Sequence, residues 1–447
     1  MELSYRMQIK HYNKIFRKTV KIYQSSVKYI IAVVEDHWYD IKDLSSNKQV
    51  NYIENLIHNT KTNVAVYDFD VVFYKYPCYY RRSAIKKAIG IFSSYKSNYN
   101  NWLEKGRHGK PPRLQYNHNV MPVFYKGNCY EEIDEYNVKI KIFTTDWVWL
   151  TIKLRKSDVD YIKHHYSDWT KLSPALERKG KVWYLRFTYS KKIPLNKTKL
   201  KNQIVVGVDL NTSNHTAVCS AMNYKGTVLG RTFIDLPREK DLLNKKIKYK
   251  NNAISKNQLK RWFNDEPNVI NYQATPRLWR LINITNKDIA IKTARQILAF
   301  ALSVNADVIV FEHLDTKKKK AFQKEKLHLW CAKAIQKITS SLAHKNGIHV
   351  NTVCAAYTSK LAFDGSGLVK RGKEVSNNTP YNVCQFTTGK IYNCDLNATY
   401  NIGARYFIKQ IENKYNKTFQ TMKAKDPSLS KRSTCTLDSL IRLSKAI

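Results

Sequence analysis

The chain has 447 residues, enough for about two to four domains with a sizeable core. Its 77 Lys and Arg against 35 Asp and Glu give a net charge of +42, which predicts a polyanionic partner because so positive a surface repels itself. The longest apolar runs are too short to span a bilayer, and the first residues lack the apolar core of a signal peptide. We therefore expect a cytoplasmic protein.

A surface that serves only solubility, or one that meets an anionic membrane, is the weaker interpretation of this charge, because the cations span the chain rather than one patch. Eight Cys are scattered, and no CxxC pair occurs among them. A disulfide framework does not suit a long chain without a secretory signal.

The first part of the chain is predicted to be helical. Residues 1–12 suit an opening strand, and apolar residues then recur at three- and four-residue steps from Lys14, with Lys and Arg on the opposite face. A second helix of this type is expected over 82–104. The basic faces either lie on a phosphate backbone or are ordinary solvated surfaces, and the sequence does not separate the two.

A basic hinge rich in Gly and Pro at 106–113 separates these helices from a β-rich part. Alternating patterns predict strands at 138–143, 147–154 and 182–189. We expect these strands to form a small antiparallel barrel to which the helices are attached.

The second half of the chain is expected to begin with a strand at 204–209, whose unbroken β-branched run suits burial on both faces. The other predicted elements are a hairpin at 216–222 and 227–233, basic helices over 237–302 interrupted by Pro267 and Pro276, a strand at 307–311, a helix from Gln323 to Lys345 capped near Gly347, a strand at 348–353, an irregular insert at 355–394 and a helix at 395–413. From Lys414 on, the chain is basic and rich in Ser and Thr, which favours a poorly ordered tail.

Three carboxylates lie at the ends of core elements. Asp209 and Glu312 each follow an apolar strand, and Asp395 opens the last predicted helix. Each acid alone is more typical of a turn or cap, but three in one basic chain indicate a site for two Mg²⁺ ions acting on phosphodiesters. Only a fold can bring them together, and a mixed sheet with a flanking helix, as in ribonuclease H, would do so. The order Asp, Glu, Asp suits a RuvC-type nuclease better than a transposase.

Specific motifs surround these acids. Residues 207–211 (GVDLN), 310–314 (VFEHL) and 395–402 (DLNATYNI) resemble the three RuvC motifs of TnpB proteins and of the miniature type V CRISPR effectors related to them. Residues 357–359 resemble the segment that follows the next strand in that family. The resemblance is detailed over 203–412 and only architectural before that.

The resemblance implies an RNA-guided DNA endonuclease, in which a guide RNA pairs with target double-stranded DNA beside a short adjacent motif and a single RuvC site cuts. Asp209, Glu312 and Asp395 would be the catalytic ligands of two Mg²⁺ ions, and Asn397 and Asn401 would support the site. The family is prokaryotic, so such a protein would be cytoplasmic and associated with the nucleoid when bound to DNA. A cleavage-silent RNA-guided repressor and, less well supported, a DNA strand-transfer enzyme are the alternatives.

The insert departs from the family, whose members carry two CxxC pairs there. Residues 360–365 replace the first pair, Thr387 replaces the partner of Cys384, and Cys394 does not restore the spacing. Because structural zinc needs four ligands, we expect no zinc, with packing and hydrogen bonds holding the insert instead. Arg371 is the nearest candidate for the Arg that the family places near the scissile phosphate, although its register matches poorly.

The expected fold is therefore a multidomain α+β protein with an N-terminal helical recognition lobe, a β-barrel wedge domain and a C-terminal ribonuclease H-like (RuvC) α/β domain whose small insert lacks a complete zinc ribbon. The expected regions are a wedge at 1–12 and 111–200, a recognition lobe at 13–110, a RuvC domain at 201–354 and 395–413, a target-nucleic-acid-binding insert at 355–394 and a basic tail at 414–447.

Overall fold

The structure is a computed structural model that describes residues 1–10, 14–104, 106–116, 120–211, 215–263, 275–314 and 331–447. The chain folds as two compact units, Met1–Lys192 and Ile193–Ile447, and each has its own hydrophobic core. Both units mix helices with sheets, as predicted for a multidomain α+β protein. Among the described residues, no helix is long and apolar enough to cross a membrane.

The helices of the first unit pack their apolar faces together. They are α1 (Phe16–Asp36), α2 (Trp38–Ile41), α3 (Ser46–Ile57), α4 (Phe69–Val72), α5 (Cys78–Glu104) and α6 (Lys156–Tyr166). The periodicity predicted α1 and α5, which pack against each other through residues such as Tyr23, Ile30 and Phe92. It did not predict α3 and α6, which are short and have narrow apolar stripes.

The strands of the first unit form two antiparallel sheets. They are β1 (Glu2–Gln8), β2 (Tyr130–Glu132), β3 (Asn137–Phe143), β4 (Trp147–Lys153), β5 (Thr170–Lys171), β6 (Ala175–Lys179) and β7 (Val182–Ser190). One sheet has the order β1-β7-β5 with β6 also on β7, and the other has the order β2-β3-β4.

The prediction of a closed barrel is therefore wrong. A barrel needs continuous pairing around its whole circumference. In the described part of this unit, the edges of the two sheets meet only at a single bridge between Ile9 and Leu154. Helix α6 interrupts the chain between them, and β5 is too short to carry the pairing further.

The second unit is built on a five-stranded mixed sheet. Its elements are β8 (Ile204–Leu210), β9 (Ala217–Asn223), β10 (Val228–Ile234), α7 (Pro237–Phe263), α8 (Pro276–Ser303), β11 (Val308–Glu312), α9 (Ala332–Lys345), β12 (His349–Val353), β13 (Lys370–Arg371), β14 (Val383–Gln385), β15 (Ile391–Asn393), α10 (Cys394–Lys414), α11 (Asn416–Lys425) and α12 (Leu437–Lys445). The sheet order is β10-β9-β8-β11-β12. The β8–β11 and β11–β12 pairs are parallel, and β8–β9 and β9–β10 are antiparallel.

Both faces of this sheet are covered, which explains the unbroken apolar run of β8. Val205 and Val310 pack with α10 on one face, whereas Val206, Ile309 and Phe311 pack with α8 and α9 on the other. Side chains alternate between the two faces along each strand, so every position except Gly207 carries an apolar side chain until the acids are reached.

Two proline and glycine signals are confirmed. Pro276 begins α8 at its first turn, where no intrahelical N–H bond is lost. Gly347 follows α9 with φ +75°, a left-handed conformation that ends the helix without the strain a side chain would add. Pro267 and the predicted helix start at Gln323 lie outside the described residues.

The prediction of a poorly ordered tail is wrong. After α10 the chain forms α11 and α12, and Leu437, Leu440 and Leu443 of α12 are buried in the same core as α10. Thr436 caps α12 because its side chain accepts a hydrogen bond from the Ser439 backbone N–H. The polar composition of the tail does not indicate α12, whereas the three-residue spacing of its leucines does.

Candidate active site

Parallel pairing of β8 with β11 brings two of the predicted acids together. Val208 lies opposite Phe311, and the next residues along the two strands are Asp209 and Glu312. Neighbouring strands are about 4.8 Å apart, and alternation puts both acids on the face covered by α10. The two carboxylates therefore share one edge of the sheet, at the carboxyl ends of its central strands.

Asp395 reaches the same edge because α10 lies directly on β8. The Asn393 side chain caps the helix by accepting hydrogen bonds from the backbone N–H groups of Asp395 and Leu396, both at 3.0 Å. A Cβ on Gly207 would lie 2.4 Å from the carbonyl oxygen of Thr399, so only glycine permits this approach. The Gly in the first motif is thus explained by helix packing.

Burial and mutual repulsion raise the pKa of these acids. The pKa of Asp209 lies well above its usual value because burial disfavours its charge and because Glu312 and Asp395 repel it, while Arg371 offsets part of the effect. Burial also raises the pKa of Glu312 and of Asp395. Asp209 is therefore the acid that feels the repulsion of the other two, and a bound cation would relieve it.

Neutral donors hold two of the carboxylates. Asn211 donates to Asp395 with Nδ2 2.6 Å from Oδ2, and the Thr358 hydroxyl donates to Glu312. Among the described residues, no three His, Cys, Asp or Glu side chains surround a common point as metal ligands do. Carboxylate oxygens are ligands that Mg²⁺ prefers, so the chemistry of the three acids fits magnesium. In this structure, however, the carboxylates of Asp395 and Glu312 accept hydrogen bonds from an amide and a hydroxyl group.

Asn397 and Asn401 are buried supports of the backbone beside the acids. Asn397 donates to the Leu361 carbonyl (2.9 Å) and accepts from the Phe363 N–H (2.8 Å). Asn401 donates to the carbonyls of Thr358 and Leu361, each at 2.9 Å. Because Thr358 in turn donates to Glu312, the two amides anchor the segment that positions this acid.

Arg405 is a further support that the sequence analysis missed. Its side chain is 4% exposed, and its guanidinium ties the start of the insert to the C-terminal segment. It donates to four backbone carbonyls, those of Cys354 (2.7 Å), Ala356 (2.8 Å), Ser433 (2.7 Å) and Cys435 (3.0 Å). Its charge lies near enough to Glu312 to lower the pKa of that acid. Its position one helical turn after Asn401, on the same face of α10, could have indicated this supporting role from the sequence.

Arg371 lies beside the acids despite the poor register noted above. Its guanidinium donates to the Ser359 hydroxyl (3.1 Å) and stacks 4.5 Å from the centre of the Tyr381 ring. Its charge lowers the pKa of both Asp209 and Asp395. The structure therefore places one positive charge beside the acids.

His215 is a second residue near the acids that the sequence did not predict. Its positive form lowers the pKa of Asp395, and its ring packs 5.0 Å from that of Phe233. Its buried Nδ1 atom has no hydrogen-bond partner within the described part of the chain. A lone His four residues after the first motif carries no spacing that would have identified it.

Packing fills the interior of the insert. Strands β13, β14 and β15 form a small antiparallel sheet, and the buried Cys384 and Cys394 pack with Phe363, Phe386 and Tyr392. Each thiol donates to a backbone carbonyl, at 3.4 Å for Cys384 and 3.7 Å for Cys394. The absence of zinc stays a prediction.

Comparisons with known proteins agree with the resemblance. A sequence model described as the Aq_aa04 family matches residues 3–144. The TnpB-like protein aq_aa05 of Aquifex aeolicus (strain VF5) is 26% identical over 250 residues, which cover 51% of this chain and 76% of that protein. Among solved structures, Cas12f1 in a complex with sgRNA and target DNA has a TM-score of 0.54 at 15% identity, covering 90% of this chain and 98% of that one.

The match with Cas12f1 concerns the fold alone, since its identity is low, whereas the match with the TnpB-like protein is one of sequence. CasPhi-2 (Cas12j) bound to crRNA aligns more loosely, at a TM-score of 0.44 and 11% identity over 92% of this chain and 98% of that one. The chain is therefore similar in sequence to a TnpB-like protein and in fold to Cas12f1, in agreement with its three motifs.

Proposed function

We propose that this protein is an RNA-guided DNA endonuclease with a single RuvC site. The observation that carries the proposal is the meeting of Asp209, Glu312 and Asp395 at one sheet edge, although 103 and 83 residues separate them along the chain. A structural role alone gives no reason to gather three mutually repelling acids in a chain of net charge +42.

In this proposal Asp209, Glu312 and Asp395 hold two Mg²⁺ ions. Such ions stabilise the attacking and leaving oxygens of an in-line displacement at phosphorus. The chain's own groups prepare the site: Thr358 and Asn211 orient two of the carboxylates, and Arg371 meets the negative charge of the scissile phosphate.

The proposed partners are a guide RNA and double-stranded target DNA. Cas12f1, whose fold is similar, was solved with sgRNA and target DNA. In the first unit, two cavities of 520 and 460 Å³ share Lys21 and Gln24 of α1, and their other cations are Arg17, Lys28 and Arg178. No acid lines either cavity in the described part of the chain, which favours a phosphate backbone over a merely solvated face for α1.

We retain the domain roles as part of the proposal. The first unit would contain the recognition lobe and the wedge, and would bind guide and target beside the adjacent motif. The second unit would cut, with the insert at 355–394 contacting the target strand through groups such as Arg371. Helices α11 and α12, which the sequence did not predict, contribute to the core of this proposed nuclease domain.

The experiment begins with the RNA that co-purifies with the protein, which is sequenced and used to design a matching DNA target. Asp209→Ala should abolish cleavage of that target in Mg²⁺ while RNA binding is retained. Asp241→Ala, which removes an exposed acid on α7, is the matched control and should cut at the wild-type rate. Cleavage by Asp209→Ala at the wild-type rate would exclude this site.

The same assay separates the alternatives. Tight, guide-dependent binding of the target by the wild-type protein without cutting would identify an RNA-guided repressor. Joining of a DNA end to a second duplex would identify a strand-transfer enzyme. A protein that purifies free of RNA would contradict the guide.

A further inference from the structure

A further cavity, of 600 Å³, lies in the second unit beside the acids. Its walls come from the carboxyl ends of β11 and β12, from one face of α10, from α11 and from the segment before α12. Val353 at its rim pairs with Glu312 in the sheet, and His313 directly follows that acid. The proposed nuclease function does not use this cavity.

The cavity is strongly positive. It is lined by Arg405, Lys409, Lys423 and Arg432 against one carboxylate, that of Glu412. Glu412 is 3.8 Å from Arg432, and Glu312 lies near Arg405, so Lys409 and Lys423 are the two lining cations to which neither acid is paired. Within the described residues, neither lysine has a carboxylate at ion-pair distance, and Arg405 is buried with only backbone carbonyls as acceptors.

Such a set of charges calls for an anion. Glu312 lies near enough to offset part of the Arg405 charge, whereas the two lysines have no carboxylate partner and would be neutralised by a bound anion. Lys409 and Lys423 come from two different helices, α10 and α11, and both line the same cavity. Two ammonium groups and a guanidinium around one space match the charge of a phosphate monoester.

The rest of the lining is apolar. Ile408, Phe419 and Leu429 supply its hydrophobic part. Small-molecule sites in proteins usually occupy about 300–1,000 Å³ and combine an apolar lining with a few placed polar groups. This cavity is therefore large enough to hold a base and a sugar as well as the phosphate.

We propose that this cavity binds a nucleoside 5′-monophosphate, with Lys409 and Lys423 holding the phosphate group and Arg405 supplying a fixed positive charge behind it. The ligand comes either from the free nucleotide pool or from the 5′-phosphorylated end of a DNA strand. This site is separate from the three acids, so it stands or falls independently of the proposed nuclease activity.

The test is calorimetric titration of the full-length protein with dAMP and with deoxyadenosine in about 0.2 M salt, where diffuse attraction by the surface is screened. Binding of dAMP that is at least about tenfold tighter than that of deoxyadenosine is expected, since the phosphate makes two charge-assisted contacts. Equal or undetectable binding of the two compounds would overturn the proposal.

Matched double variants locate the site. Lys409→Ala with Lys423→Ala should weaken dAMP binding about tenfold or more, whereas Lys409→Arg with Lys423→Arg should retain it. Lys414→Ala with Lys417→Ala, which removes two exposed lysines of the same helices, should change it less than about twofold. Thermal unfolding checks that each variant is folded. An equal loss in both Ala pairs would show diffuse attraction and would refute the site.

The two sources are distinguished with trinucleotides. Tighter binding of a 5′-phosphorylated than of a 5′-hydroxyl trinucleotide, lost in the Lys409→Ala and Lys423→Ala pair, supports a strand end as the ligand. Binding of dAMP but of neither trinucleotide supports the free nucleotide. Binding of both trinucleotides alike, unaffected by the pair, contradicts a phosphate monoester site.

Discussion

Gly207→Ala tests whether the contact between β8 and α10 sets the position of Asp395. The new Cβ would lie 2.4 Å from the carbonyl oxygen of Thr399 and 3.0 Å from the backbone nitrogen of Gly403. Both neighbours are backbone atoms, so no side chain can rotate away. Relief to an ordinary contact near 3.4 Å requires α10 to move by about 1 Å relative to β8.

That movement has two measurable costs. Overpacking of this kind destabilises a core by about 1–3 kcal/mol, which lowers the melting temperature of a unit of this size by about 2–4 °C per kcal/mol. Because Asp395 moves with the helix while Asp209 stays on the strand, the rate constant for target cleavage should fall about 100-fold. Thermal unfolding and single-turnover cleavage measure the two effects.

Gly230→Ala is the matched control on the same sheet. Its added Cβ would meet only side-chain atoms of Phe300 and Val304, all at 3.7 Å, which is ordinary contact. This variant should melt within about 2 °C of wild type and cut normally. If Gly207→Ala also behaved like wild type in both assays, the packing explanation for this glycine would be refuted.

Three further predictions concern the carboxylates, Arg405 and the insert. The raised pKa of Asp209 means that its protonated form stabilises the folded state below the unfolded-state value of about 4, and that this stability is lost as pH rises through the raised pKa. At neutral pH in the presence of a chelator, Asp209→Asn should therefore have a higher melting temperature than wild type. Added Mg²⁺ should raise the melting temperature of wild type more than that of the variant. A lower melting temperature for Asp209→Asn in chelator would contradict the predicted repulsion between the acids. Arg405→Met leaves four buried carbonyls without their donor and should destabilise the second unit by about 3–5 kcal/mol. Limited proteolysis should then cut the segment before α12 earlier than in wild type. An unchanged digestion pattern would contradict this prediction. Elemental analysis should find far less than one zinc per chain, and a stoichiometric amount would overturn the interpretation of the insert.

The sheet of the second unit was largely predictable. An unbroken β-branched run suits a strand covered on both faces, and β8, β9, β10 and β11 begin and end within about two residues of the predicted limits. The three acids were predictable as strand-end and helix-start residues. Their meeting followed from an expected arrangement of strands, which the parallel pairing of β8 with β11 supports.

Other features depend on contacts that no local pattern encodes. Arg405 reads as a surface cation until α10 is known to be buried almost all round. The barrel prediction failed because alternating strands predict a half-buried sheet without saying which edges meet. The ordered tail was hidden because its polar composition outweighed three leucines whose partners lie elsewhere in the unit.

The central claim is that Asp209, Glu312 and Asp395 act as a single cation-binding group in DNA cleavage. The most direct measurement is guide-directed cleavage in Mg²⁺ by each single Ala variant and by the triple variant. If the acids act as one group, each single substitution should cost nearly as much rate as all three together, with RNA binding intact. Wild-type cleavage by any single variant, or losses that multiply from one substitution to the next, would contradict the claim.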